Sequence, residues 1–125
     1  MGKTGEALAA DLYRLLVVAR NDLPSVADAY HECAKHSGSA GTGAAAAMTR
    51  PVYFGGRLGP VHDAWVDLHE KVHRHLAVTG ENLDDAAAAL ELAARQYHDT
   101  DATAGQKLDA LLKQNGDPAG ERGTV

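Results

Sequence analysis

From Val61 to Tyr97, side chains suited to burial return every three or four residues, at Val61, Trp65, Leu68, Val72, Leu76, Thr79, Leu83, Ala87, Leu90, Ala94 and Tyr97. That spacing is the period of one face of an α-helix. Pro60 stands near the first-turn position, where a missing N–H is harmless. A helix of about 40 residues spans roughly 60 Å. A second series, Leu8, Leu12, Leu15, Ala19, Leu23, Val26, Tyr30 and Cys33, predicts another helix over residues 6–36. Pro24 interrupts it, and a proline inside a helix removes one backbone bond and crowds the preceding turn, so a kink or short break is expected near Asn21 to Leu23.

Between these helices, "SGSAGTGAAAAMTRPVYFGG" has a composition whose conformational entropy resists regular structure, and residues 37–57 are expected to be a Gly/Ser-rich loop. Ala44 to Met48 have room for one helical turn. The second helix is expected over 58–100, with Gly80 marking a bend, followed by a short helix over 103–113 and a disordered tail over 114–125. Alanine is abundant, aromatic residues are 5% of the chain, and no strand pattern occurs. The expected fold is therefore all-α: residues 1–125 form a single domain, a long antiparallel helical hairpin with a flexible C-terminal tail.

Two antiparallel helices touch along one seam and leave part of each apolar stripe wet, because a stripe is typically 100° wide or more. Two hairpins side by side form a four-helix bundle that buries both faces. The expected partner is a second copy or a homologous hairpin, met through Leu12, Leu15, Val26, Tyr30, Trp65, Leu68, Val72, Leu83 and Leu90.

The net charge of −5, with signs interleaved, supplies no basic stripe for phosphates and argues against nucleic acid. The lone Cys33 forms no internal disulfide. No Sec-type leader is expected, and no apolar run is long enough for a membrane span. "HEKVH", His69 to His73, matches the zinc-peptidase pattern in which two histidines one turn apart hold the metal and a glutamate activates water. The substrate-positioning strand of such enzymes is missing, and Leu76 stands where the extended form of the pattern has glycine. Taking Trp65, Leu68, Val72 and Leu76 as the seam, His69 flanks it and His73 points away, so both belong on a wet face with His62. No catalytic residue, metal or cofactor is expected, and a metallopeptidase using His69, Glu70 and His73 is the minor alternative.

The string "LDDAAAALELAARQYHDTDATAGQKLDALL" resembles the end of the second helix in the helical-hairpin substrates of type VII (ESX) secretion, the WxG-type family and its relatives. In that family a Tyr-x-x-x-Asp/Glu export signal follows the second helix, which the resemblance places at Tyr97 and Asp101. The Trp-x-Gly turn is missing, since Val66 and Asp67 follow Trp65, and Tyr53-Phe54-Gly55 stands in its region, making Tyr53 and Gly55 the corresponding turn residues. The resemblance implies a non-enzymatic substrate or export partner, a type VII secretion ATPase as its reader, and secretion by a signal-peptide-independent route. The competing expectation is a cytoplasmic helical adaptor or chaperone-like module binding through the same stripes.

Overall fold

A computed structural model describes residues 4–119; residues 120–125, within the expected tail, lie outside the described residues. The chain is all-α, with α1 Gly5–Val17, α2 Leu23–Thr42, α3 Ala44–Met48, α4 Pro60–Thr100 and α5 Ala102–Asn115. The described residues contain no strand. Two compact units are distinguishable: residues 28–81, and a second made of the flanking segments.

In the flanking unit α1 starts at Thr4, whose hydroxyl accepts from the Ala7 N–H at 3.3 Å and satisfies one donor of the open first turn. The break expected from Pro24 is a π-helical turn, Val18–Asp22, in which the Leu23 N–H reaches back to the Val18 carbonyl. The wider turn absorbs the missing proline N–H and the bulk of its ring without ending the helix. Ser25 Oγ donates to the Asn21 carbonyl at 2.6 Å.

The core of this unit is Ala9, Leu12, Leu16, Ala94, Ala104 and Leu108, drawn from α1, the C-terminal part of α4, and α5. Alanines at the crossings let three backbones close around the three leucines. α5 runs parallel to α1: Gly5 lies by Thr103, Lys107 Nζ is 3.7 Å from Glu6 Oε2, and Arg20 meets Asp117 at 3.2 Å. Leu12, expected at an interface between chains, is 1% exposed because α5 covers it. Leu15 packs on the same cluster, and Leu83 and Leu90 are half-buried. The first stretch of the expected tail is also placed, for Pro118 is buried and Asp117 accepts from both Arg20 and the Ala119 N–H.

In residues 28–81, α2 and α4 lie antiparallel, with His31 beside Gly80, Gly38 beside His73 and Gly41 beside His69. The expected loop therefore starts later, since α2 continues to Thr42. Its glycines are held helical by close packing that outweighs their low propensity. Gly80 lies inside continuous helix and marks a close approach, where a Cβ would sit 2.8 Å from the His31 ring. No described helix is long and apolar enough to cross a membrane.

Candidate functional site

The face that α4 turns toward α2 is not the expected one. His69 Nε2 lies 2.6 Å from the Ser37 carbonyl and 3.3 Å from Ser37 Oγ. Its ring stacks on Trp65 at 4.7 Å between centroids and faces His73 at 6.2 Å. Gly38 and Gly41 leave grooves on α2 that flat rings fill, and a donating ring nitrogen satisfies the Ser37 carbonyl as an aliphatic side chain cannot. His69 and His73 are consequently half-buried in the seam, while Leu68 and Val72 face outward, 61% and 45% exposed.

The same geometry arranges the residues of "HEKVH". The two imidazoles are stacked with planes 18° apart, and Glu70 is exposed. Among the described residues no group of three His, Cys, Asp or Glu side chains is placed to hold a metal. His62 Nδ1 and His73 Nδ1 are buried without a hydrogen-bond partner, though His62 Nδ1 is 3.6 Å from Asp63 Oδ1.

The remaining expected interface residues divide between the units. Val26 is exposed in one; Tyr30 and Trp65 are half-buried in the other, where Leu68 and Val72 join Val61 on a single outward stripe of α4. Val61, Leu68 and Val72 are separated by seven and four residues, which brings them onto one line along the helix. No helix of comparable length covers that line within residues 28–81, whereas α5 covers α1 in the other unit.

Tyr97 is exposed in the last turn of α4. Asp101 caps α5, its carboxylate accepting from the Ala104 N–H at 3.0 Å, while its own N–H donates to the Tyr97 carbonyl at 3.0 Å. An aspartate is among the best residues for this position because its oxygen satisfies an orphan donor and its charge suits the positive end of the helix. Tyr97 and Asp101 thus lie on either side of a tight turn between two ordered helices.

In the same turn His98 contacts two carboxylates, Nδ1 with Asp99 and Nε2 with Asp109, each at 3.0 Å. The hydrogen bond to Asp99, then that to Asp109, holds its pKa above the ordinary 6.5. The imidazolium donates from both nitrogens. Because the folded-state pKa is raised, this stabilisation is fully present below the unfolded value and is lost as pH rises through the folded one. In an NMR pH titration, Asp109→Asn is expected to move the His98 midpoint downward; an unmoved midpoint would remove Asp109 from this contact.

Two further features stand beside these, the first without a signal in the sequence. Arg20 bridges Glu91 at 3.1 Å and Asp117 at 3.2 Å, while Arg95 meets Glu91 at 2.7 Å. Burial disfavours the Glu91 charge, yet the hydrogen bonds from Arg20 and Arg95 more than offset it and lower the pKa. The other is the connection between α3 and α4, where Val52–Phe54 form a 3₁₀ turn ended by Gly55 at φ 106°. Tyr53, expected as a turn residue, is 98% exposed, with Val52 and Phe54 at 88% and 70% beside it.

No family model matches the chain, and neither do the curated proteins or the solved structures.

Proposed function

We propose that this protein is a non-enzymatic binding module that pairs its helical hairpin with a second copy of itself and leaves the cell by a type VII-like route, with Tyr97 as the residue read by the export machinery. The reading rests above all on Tyr97, an aromatic side chain exposed at the end of a 41-residue helix and followed after four residues by an acid. An aromatic ring left in solvent at a fixed, ordered turn is available to a receptor with no ordering of the chain required. The pairing rests on the uncovered line of Val61, Leu68 and Val72.

Export is tested by comparing wild type with Tyr97→Ala in a host whose type VII secretion ATPase is intact. Tyr97→Ala is expected to stay in the cells at normal abundance while wild type reaches the medium. Equal export of both would refute the role given to Tyr97.

The capping contact of Asp101 favours a second reading, a cytoplasmic helical adaptor in which this aspartate serves only to start α5. Asp101→Asn separates the two, since asparagine caps about as well as aspartate but carries no charge. Lost export with unchanged thermal stability supports the signal; unchanged export leaves Asp101 as a cap alone.

A further inference from the structure

The connection ahead of α4 is built to hold apolar side chains in water. Its base is closed by the Arg50 N–H donating to the Arg57 carbonyl at 2.9 Å and the Gly59 N–H to the Met48 carbonyl at 3.1 Å. Above that base, the Phe54 and Gly56 N–H groups both donate to the Pro51 carbonyl, at 2.8 and 3.2 Å, and the Gly55 N–H to the Val52 carbonyl at 3.1 Å. Gly55 and Gly56 reverse the chain at φ 106° and 60°, where a side chain would be strained. The result is an ordered knuckle from which three consecutive apolar side chains, Val52, Tyr53 and Phe54, project almost bare. Leu58 at its base is 44% exposed.

The charge around the knuckle has one sign. From Cys33 to His62 the chain carries Lys35, Arg50 and Arg57 and no Asp or Glu, although the whole chain is acidic at −5. The Arg50 guanidinium lies under the turn, its Nη2 3.4 Å from where a Cβ on Gly55 would stand. Neither Arg50 nor Arg57 has an acidic partner among the described residues. The nearest acid after the knuckle is Asp63, inside α4 and beside His62.

We infer that this knuckle is a docking tip for an anionic lipid surface: Val52, Tyr53 and Phe54 enter the boundary between headgroups and acyl chains, and Arg50 and Arg57 meet the lipid phosphates. A convex tip suits a surface that yields around it. Amphipathic aromatic rings are favoured at the headgroup level, and each basic residue near an anionic leaflet adds attraction that salt screens. Because the knuckle is already hydrogen-bonded into shape, insertion orders little further backbone. A few side chains without a lipid anchor give weak, reversible binding.

Flotation of the full chain with phosphatidylcholine vesicles, with and without phosphatidylglycerol, tests this directly. Wild type is expected to float only with the phosphatidylglycerol vesicles and to be released by salt. Tyr53→Ser with Phe54→Ser is expected to weaken that binding roughly tenfold or more, from the lost apolar burial. Arg50→Gln with Arg57→Gln is expected to weaken it about tenfold and to flatten its salt dependence. All four substituted side chains are exposed, and circular dichroism checks that both variants keep their helices. Equal flotation with both vesicle types, flotation insensitive to Tyr53 and Phe54, or no flotation at all would overturn the inference, the last leaving the tip to a groove on another protein.

Discussion

Leu12→Ala is expected to destabilise the unit built from α1, α5 and the end of α4 by about 3 kcal/mol, near a hundredfold in its folding equilibrium. Leu12 is the largest fully buried side chain among the described residues, at 1% exposure. Three of its companions in the cluster, Ala9, Ala94 and Ala104, are alanines with no rotamers that can swing in to fill the space. The cavity therefore stays open, and the cost includes lost packing as well as lost transfer energy. In a unit this small such a loss lowers the melting temperature by about 10 °C or more. The effect is expected to be the same at every protein concentration, because α5 of the same chain covers Leu12. A loss that appeared only at high concentration would mean that another chain supplies the cover, and would restore Leu12 to the interface.

Gly105→Ala is expected to destabilise the same unit, although alanine favours a helix over glycine by about 1 kcal/mol. A Cβ at this position would lie 2.6 Å from the carbonyl oxygen of His98, a backbone atom fixed within α4. The clash is relieved only by lifting α5, which draws Ala104 and Leu108 away from the core they share with Leu12. Overpacking of this kind costs about 1–3 kcal/mol, enough to reverse the gain in propensity. Gly43→Ala is the control: it sits at φ −94°, and nothing lies within 4 Å of its Cβ position. That change is expected to be neutral or stabilising by about 0.5 kcal/mol. Urea midpoints of the two variants moving in the same direction would contradict the close crossing of α4 and α5.

The helical period was enough to place α1, α2 and α4, because apolar side chains that recur every three or four residues share one side only of a helix. Pro24 signalled a disturbance, and local geometry made it a π turn. What periodicity could not assign was which face of α4 meets α2. Counting hydrophobicity favours Leu68 and Val72, whereas contact is decided by shape and hydrogen bonding. The relevant signal was spread over two distant segments: Ser37, Gly38 and Gly41 at helical spacing, opposite His69 and His73. Neither set is hydrophobic, so neither stands out alone. The stretch after Ser37 has the composition of a loop for the same reason, since its glycines are held helical by packing against α4. Asp101 carried a legible capping signal, an aspartate just ahead of Ala102, that the resemblance to an export motif obscured. The exposure of Val52 and Phe54 had no sequence signature, because it depends on how Arg50, Met48, Arg57 and Gly59 close the base of the turn.

The unequal covering of the two units is what gives the pairing reading its force. One unit has α5 laid on its stripe, and the other has a line of exposed aliphatic side chains with no comparable helix of its own unit upon it. Sedimentation equilibrium of the purified chain at micromolar concentration tests that reading most directly. Wild type is expected to have twice the mass of one chain, and Leu68→Glu with Val72→Glu to have the mass of a single chain with its helix content intact. A wild-type chain that stays single at every concentration, or a pair that survives both introduced carboxylates, would contradict it.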